Sequence, residues 1–511
     1  MKQISGGVEK TASMIILLLV FAFILYLSVS SLFETSFLST DDPSGERIVY
    51  LNDNVFLSII IFTILLLTGY IFYRRCDPIN PRTMEKVLLL YVFLFGTAYV
   101  ATTKLRPPAY SDSFLVTYGA QRAALGDHAI LEENYFYRFP FQLGYVLYSE
   151  IFFRVVNIAL RGEPEGYAVL ALQELNLFWL LLQYHALIAV TGVLFKDARI
   201  RKILMLLLFF CFQPLLTTPF LYGNVPAFAC GTVAIWMFLL HIKKRRMKYG
   251  VLCAAFLTLA VTLKLNLLIY CVAVGFVWLV MLLKKPSRKS LLCLVLAVAC
   301  VLTLPKLPQK LYEYRVGVHY GKGIPMIAWM AMGFSQGHAA PGWYREDYTV
   351  AAFEHSGHDS AATAENAKRI LEDRLFVFKT DPALACSFFT EKLRSQWNEP
   401  SYGSIWLNQV FPSYSAKGLM YDLLCGSGAK RTLDVMNVYQ QFVFFTLLLG
   451  LIRLGKKKDL LRCLLPLVML GGLLYHLLFE AKSQYALPYF VLILPIAAYG
   501  LFTLYRKVEL R

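Results

Sequence analysis

Residues 14–33 read MIILLLVFAFILYLSVSSLF, a stretch of twenty residues without a charged side chain. About 20 apolar residues are enough to cross the roughly 30 Å hydrocarbon core of a bilayer as a helix, and a helix satisfies its own backbone hydrogen bonds there. The rest of the chain has the same character, because 58% of its 511 residues are hydrophobic and only 16% are charged. The sequence therefore predicts an all-α polytopic membrane protein.

Similar apolar blocks recur along the chain and predict twelve transmembrane helices. They cover residues 14–33, 55–73, 87–103, 170–195, 203–220, 225–241, 249–263, 267–283, 290–304, 433–454, 460–479 and 485–505. The stretch Phe141–Val156 is also apolar, but it carries Gln142, Glu150 and Arg154. We predict that it lies in the outer membrane interface rather than crossing the bilayer.

The formal net charge of +17 is explained by topology. The basic residues cluster in short gaps between the apolar blocks, at residues 74–75, 196–202, 243–248, 284–289, 456–458 and 506–507. Short loops rich in Lys and Arg are typically cytoplasmic. We therefore predict a multi-pass protein of the cell membrane with both termini in the cytoplasm, and no nucleic-acid partner.

Two long segments then fall on the extracytoplasmic side. The predicted organisation is N-terminal transmembrane helices at 1–103, an outer loop with interfacial helices at 104–169, a transmembrane bundle at 170–304, an outer domain at 305–432 and C-terminal transmembrane helices at 433–511. Local patterns predict a helix over Ser111–Leu125 capped by Ser111 or Asp112, one over Ala361–Phe378, and another that begins at Asp381-Pro382.

The first outer loop carries short motifs in a distinctive order: Ser111-Asp112-Ser113, Gly126-Asp127, Tyr135-Phe136-Tyr137-Arg138-Phe139-Pro140 and Leu143-Gly144-Tyr145. This order resembles the first outer loop of GT-C membrane glycosyltransferases, especially the protein O-mannosyltransferases and the lipid A aminoarabinose transferases. The resemblance implies a bundle of about a dozen helices with this loop and a late outer domain. It also implies donors that are polyprenyl-phosphate sugars.

The resemblance assigns roles to individual residues. Asp112 matches the acid that is regarded as catalytic in the family, whereas Ser113 stands where the family has a second acid. Arg138 matches a lysine that faces the donor phosphate, and only Pro140 of the following proline pair is kept. Near the C-terminus, Glu480-Ala481-Lys482-Ser483-Gln484-Tyr485 with Pro488 resembles the entry to the family's last helix, with Gln484 in place of an arginine. In the outer domain, Pro341-Gly342-Trp343-Tyr344 and Gln396-Trp397-Asn398-Glu399-Pro400 resemble strings in GT-C-like proteins of bacterial surface-polysaccharide systems.

Chemistry supports the same residues independently of the resemblance. Transfer of a sugar from a lipid phosphate needs a base near the acceptor hydroxyl and cations near the phosphate. Asp112 supplies the carboxylate and Arg138 the cation. The alternatives are that Asp112 only caps a helix and that Arg138 only snorkels to lipid head groups.

Further substrate-binding candidates are Glu133, Lys264, Glu480, Lys482 and Tyr485. Glu133 and its neighbour Glu132 would orient the acceptor or hold a metal, or else form a solvated face. Lys264 and Asn266 lie at the outer end of a span, where an ionisable group indicates either function or snorkelling. Glu480, Lys482 and Tyr485 would contact the phosphate or one another.

Other patterns are less specific. Glu354-His355 and His358-Asp359 have a spacing that zinc ligands use, but we predict no metal ligands and leave a divalent cofactor open. Trp329, Trp343, Trp397 and Trp406 are candidates for sugar stacking, since they lie in the outer domain rather than at span ends. Cys386 and Cys425 share the outer domain as a disulfide or as two free thiols.

The predicted function is therefore that of a membrane glycosyltransferase. It would move a sugar from a polyprenyl-phosphate donor to a cell-surface glycan, lipid or protein acceptor on the outer face of the membrane, as in cell-wall or surface-polysaccharide biosynthesis. The alternatives are a lipid-linked polysaccharide polymerase or ligase, a transporter or flippase of a lipid-linked sugar, and a structural or assembly role. A transporter would be expected to show internal repeats and broken helices near mid-membrane.

Overall fold

The computed structural model describes residues 2–39, 46–109, 111–160, 165–411, 418–457 and 459–510, and Lys458 of the predicted basic clusters lies outside them. The N-terminal part runs α1 (Lys2–Phe33), β1 (Glu34–Ser39), β2 (Arg47–Asn52), α2 (Val55–Arg75) and α3 (Pro81–Thr103). The first large loop holds α4 (Asp112–Ala124), α5 (Asn134–Arg138) and α6 (Leu143–Leu160).

The middle of the chain forms a helical bundle and a second helical segment, which we call the outer segment because the sequence predicts that it lies outside the membrane. The bundle comprises α7 (Glu165–Leu194), α8 (Ala198–Phe209), α9 (Gln213–Leu216), α10 (Asn224–Lys244), α11 (Met247–Leu263), α12 (Leu268–Lys284) and α13 (Arg288–Thr303). The outer segment contains α14 (Leu307–Val316), α15 (Met326–Gly333), α16 (Val350–His355), α17 (Ser360–Thr380), α18 (Pro382–Trp397), α19 (Ser404–Val410) and α20 (Leu419–Leu424). The chain then continues into α21 (Ala429–Gly455), α22 (Leu464–Leu478) and α23 (Ser483–Glu509).

The fold is that of an all-α membrane protein. Among the described residues, nine helical segments are long and apolar enough to cross a membrane, and α11 and α22 are shorter apolar helices. The last helix, α23, has 89% of its most apolar window buried and packs against α8, α21 and α22, whereas only 6% of that window is buried in α2. Helix α23 is therefore central in the bundle, and α2 lies at its periphery.

The predicted span 203–220 is not one helix. It ends as α8 at Phe209 and resumes only as the short α9, which contains Pro214. Pro214 lies in the first turn of α9, where proline is favoured because its missing backbone N–H has no partner within the helix. Buried side chains satisfy the freed carbonyls, since the Tyr184 hydroxyl donates to Cys211 O at 3.1 Å and the Asn176 amide donates to Thr218 O at 2.9 Å.

Basic residues from several of the predicted cytoplasmic loops form ion pairs with other helix ends in the folded chain. Arg74 at the end of α2 and Arg199 in α8 both pair with Glu509 at the end of α23. Lys284 at the end of α12 pairs with Glu9 in α1. These contacts join helix ends that the positive-inside rule assigns to one side, and the cytoplasmic location of that side stays a prediction.

Local helix signals in the loops are confirmed. Ser111 is the N-cap of α4, and its side chain accepts from Phe114 N. Asp359 caps α17, and Asp381 caps α18 directly before Pro382. Helix α6 covers the predicted interfacial segment, and Ile151, Val155 and Ile158 are exposed along it. Its orientation in a membrane stays a prediction.

A two-stranded antiparallel hairpin was not predicted. Strands β1 and β2 pair from Glu34 with Asn52 to Ser39 with Arg47. Leu38 and Ile48 of the hairpin pack in a small apolar cluster with Ala340, Trp343 and Ala481. This contact ties the hairpin to the outer segment and to the loop between α22 and α23.

Candidate functional site

A cavity of about 1050 Å³ lies where the loops after α3, α5, α9 and α11 meet the outer segment and the loop between α22 and α23. Six of the predicted site residues line it: Asp112, Arg138, Lys264, Glu480, Lys482 and Tyr485. Much of the remaining wall is aromatic, with Tyr135, Phe139, Phe141, Phe220, Tyr222, Trp329, Tyr344, Trp406, Phe411, Tyr475 and Phe479. The cavity therefore combines a set of acids and cations with broad apolar surfaces.

Asp112 is the first residue of α4, directly after the Ser111 cap. Because Ser111 caps the helix, the Asp112 carboxylate makes a different contact and accepts a hydrogen bond from the Tyr222 hydroxyl at 3.0 Å. Asp112 is exposed to the cavity, and desolvation by the protein around it raises the pKa of its carboxyl. The Tyr222 hydrogen bond and the nearby cations, with Lys482 the strongest, oppose this rise. A carboxylate of raised pKa is a stronger base than a free aspartate.

Tyr222 links Asp112 to Lys264. Its ring lies 3.9 Å from the Lys264 ammonium, and its hydroxyl is 2.9 Å from that of Tyr135. The loop that carries Tyr222 is anchored by the Ser113 hydroxyl, which donates to Leu221 O at 3.1 Å. Gly223 has a φ of +81°, and an added Cβ would come within 2.4 Å of Leu263 O, so the loop packs directly against the chain that leads into Lys264.

Lys264 lies in the connection between α11 and α12 and is buried. Burial lowers the pKa of its ammonium to about 7, although the carboxylates of Asp112 and Glu480 favour the charged form. A cation stacked on an aromatic ring keeps its N–H donors available for an anion. Lys264 is therefore suited to bind a phosphate oxygen, and its charge changes near neutral pH.

The segment between α22 and α23 supplies a second group of charges. Lys482 forms an ion pair with Glu46, and the Tyr485 hydroxyl donates to Glu480 at 3.3 Å. Burial raises the pKa of Glu480 to about 7, against the attraction of Lys482. Burial opposes the charge on Lys482, but Glu46 and Glu480 together outweigh it and raise the pKa of the lysine. Lys482 therefore stays protonated at neutral pH.

Arg138 is the last residue of α5, and its guanidinium pairs with Glu354 in α16. The backbone at Arg138 is held by Ile324 N, which donates to Arg138 O at 3.1 Å. Arg138 lines the cavity while it pairs with Glu354. A guanidinium carries five N–H donors, so it is suited to bind a second acceptor such as a phosphate oxygen.

Some sequence candidates lie elsewhere. Glu133 is exposed at the start of α5 and is not among the residues that line the cavity. Trp329 and Trp406 line the cavity, but Trp343 and Trp397 are fully buried packing residues. Buried indoles stabilise the outer segment and are not available for stacking on a sugar.

The acids and histidines with zinc-like spacing and the two cysteines of the outer segment have other surroundings in the structure. In the described ranges, no three His, Cys, Asp or Glu side chains lie together as a metal-ion site. Glu354 instead pairs with Arg138, and the His358 ring stacks on Tyr137 and Phe353. Cys386 and Cys425 are both free thiols.

Sequence reasoning missed Glu46 and Tyr222. Tyr222 follows a broken helix that was predicted to be continuous, so its position beside Asp112 was hidden. Glu46 directly precedes β2, and the available signal for the hairpin was the β-branched and aromatic run Ile48-Val49-Tyr50 after the turn-prone sequence DDPSG at 41–45. Its contact with Lys482 spans 436 positions and is not readable from local sequence.

The chemistry of the cavity follows from these contacts. The Asp112 carboxylate, whose pKa is raised, lies near Tyr222 and Lys264 and near two further cations that are paired with carboxylates, Arg138 and Lys482. Such a site can accept a proton from a hydroxyl and hold a phosphate group at the same time.

The chain was also compared with known proteins. No family model, no curated protein and no solved structure matches it.

Proposed function

We propose that the chain is a GT-C-like membrane glycosyltransferase with twelve transmembrane helices. It moves a sugar from a polyprenyl-phosphate donor to a glycan, lipid or protein acceptor on the outer face of the membrane. The observation that carries the proposal is the single cavity in which Asp112 lies with Lys264, Lys482 and Arg138. These residues follow or precede apolar helices rather than interrupting them, so the site fits a substrate whose polar head projects from a bilayer.

In the proposed reaction, the oxygen of the acceptor hydroxyl attacks the anomeric carbon of the donor sugar. The bond between that carbon and the phosphate oxygen breaks, and its electron pair leaves with the polyprenyl phosphate. The proton of the acceptor passes to Asp112, whose raised pKa favours proton uptake. Lys264, Lys482 and Arg138 stabilise the negative charge that develops on the leaving phosphate.

The aromatic walls fit the remaining parts of such substrates. Trp329, Tyr344 and Trp406 offer flat faces on the side of the outer segment, where a sugar can stack. Phe139, Phe141 and Phe220 offer apolar surface beside the loops that follow the apolar helices, where a prenyl chain can lie.

The alternatives differ in the substrate head group or in the location of the site. A polymerase or ligase would act on a sugar held by a pyrophosphate lipid, and the same three cations would also suit that group. A transporter would require a site near the middle of the helices. The charged residues described above lie in connections at helix ends, which favours transfer over transport.

The direct test is donor cleavage by the purified protein in liposomes. A panel of polyprenyl-phosphate and polyprenyl-pyrophosphate sugars would be supplied with total surface-glycan extract, and release of the free lipid phosphate would be measured. Protein-dependent release of a polyprenyl monophosphate, with loss of one sugar branch from the surface glycans of a deletion strain, is expected. Release of polyprenyl pyrophosphates alone would contradict the proposal and favour a polymerase or ligase. Movement of the intact donor across the membrane without cleavage would favour a flippase.

A further inference from the structure

Lys392 is a fully buried lysine on α18, outside the set of residues that line the cavity. Its ammonium donates a hydrogen bond to Phe479 O at 2.7 Å and another to Gly333 O. Gly333 is the last residue of α15, and Phe479 directly follows α22. One side chain therefore caps the C-terminal ends of two helices.

This arrangement has a physical reason at both helix ends. The last carbonyls of a helix lack partners within the helix and carry partial negative charge, so a lysine there is favourable. The neighbouring Gln396, one turn further along α18, donates to His476 O of α22 at 3.4 Å. Helix α18 thus fixes the end of α22 immediately before Glu480 and Lys482.

The packing around Lys392 leaves little freedom. Gly342 has a φ of +74°, and an added Cβ would come within 2.4 Å of Lys392 Cε and 2.6 Å of Nζ. The carbonyl of Gly342 accepts from Ala481 N at 2.8 Å, between the two charged site residues. Gly333 also packs against the end of α22, because a Cβ there would come within 2.5 Å of Leu478 O. The two glycines let three backbone segments meet at one ammonium group.

We propose that Lys392 is a positioning residue that fixes the segment from Phe479 to Lys482, and through it the Glu480 carboxylate and the Lys482 ammonium, for binding of the donor phosphate. The inference rests on the proposed function for its ligand. It also gives a role to the motifs around Gly342 and Gln396. The Gly342 carbonyl bonds Ala481 within this segment, and Gln396 bonds the end of α22 directly before it.

The test uses the full-length protein in detergent or nanodiscs and the variant Lys392→Met, with Lys392→Gln as a milder second variant. Lys202→Met is the matched control. Lys202 is also a buried lysine that donates to two backbone carbonyls, Cys76 O at 2.7 Å and Asp77 O at 3.1 Å, but it does not line the cavity or contact the Phe479–Lys482 segment. Any loss of stability that comes only from removing a buried lysine should appear in both Lys392→Met and Lys202→Met.

The first readout is hydrogen exchange of the amides in residues 479–487, which needs no ligand. Faster exchange there in Lys392→Met and Lys392→Gln, but not in Lys202→Met, is expected because the Phe479 carbonyl loses the hydrogen bond from Lys392. Unchanged exchange at this segment in folded Lys392 variants would overturn the positioning role, whether or not the protein is a glycosyltransferase.

The second readout is the affinity for farnesyl phosphate, with inorganic phosphate as a second probe. Loss of one well-placed buried hydrogen bond corresponds to a decrease of about tenfold for Lys392→Met. In a Lys482→Met background, Lys392→Met should change affinity less than about twofold, since its effect runs through Lys482. Full additivity of the two substitutions would overturn the inference. Failure of the wild type to bind farnesyl phosphate would instead count against the proposed donor, and the exchange readout would still decide the role of Lys392.

Discussion

The charge state of Lys264 gives a sharp prediction about pH. Burial lowers the pKa of this ammonium to about 7, so its protonated fraction is about one half at pH 7 and about 1% at pH 9. If a donor phosphate binds only the protonated form, affinity should fall about fiftyfold between these two pH values. Affinity for an anion should fall as the pH rises, because a lysine loses its positive charge over this range.

The assay is equilibrium binding of a short prenyl phosphodiester, which stays a monoanion throughout this range. Glu480, with a pKa of about 7, gains negative charge over the same interval and would weaken anion binding in the same direction. Glu480→Gln removes that contribution, and Lys264→Arg keeps a cation at every pH in the range. We expect the double variant Lys264→Arg/Glu480→Gln to change affinity less than about threefold from pH 7 to pH 9, and Glu480→Gln alone to retain most of the wild-type slope. A wild-type affinity that is flat with pH, or an equally steep slope in the double variant, would refute this role of Lys264.

Three further predictions follow from the contacts at the cavity. Arg138→Ala should weaken use of the lipid donor more than Arg138→Lys, because phosphate binding needs a cation before it needs bidentate geometry; equal donor KM in Arg138→Ala and wild type would remove Arg138 from the site. Tyr222→Phe keeps the ring beside Lys264 but removes the hydrogen bond that orients the Asp112 carboxylate, and loss of this orientation should outweigh the gain in basicity, so kcat should fall about tenfold with donor affinity nearly unchanged; a change in affinity alone would contradict the contact. If α6 lies in the interface as predicted, fluorophores attached to single cysteines at Ile151, Val155 and Ile158 should all be quenched by shallow lipid-phase probes; a graded depth along the helix would mean that it crosses the bilayer.

Sequence patterns predicted the parts of this fold that depend on local physics. The apolar helix at 14–33, the Ser111 cap and the start of α18 at Asp381-Pro382 all follow from side chains within one or two turns. The same reasoning failed at residues 210–219, where buried donors from α3 and α7 stabilise a break that hydropathy alone does not reveal.

Only part of the candidate site could be predicted from the sequence. Asp112, Arg138 and Lys482 were found because they occur in short motifs beside apolar helices. Their partners Tyr222, Glu354 and Glu46 come from distant segments, and the pairing of cation with carboxylate emerges only when those segments fold together. Glu133 illustrates the opposite case, since it lies in the same loop as Arg138 but does not line the cavity, and its role stays a prediction.

The central claim, that this cavity transfers sugar with Asp112 as the base, is tested most directly by donor turnover of Asp112→Asn. Because Ser111 caps α4 and Asn can still accept from Tyr222, the variant should fold, insert and bind a prenyl phosphate within about threefold of wild type. Its transfer rate should fall by about 10²–10⁴-fold, the range typical of general-base assistance. An Asp112→Asn protein that binds the donor and turns it over at a near-normal rate would contradict the account.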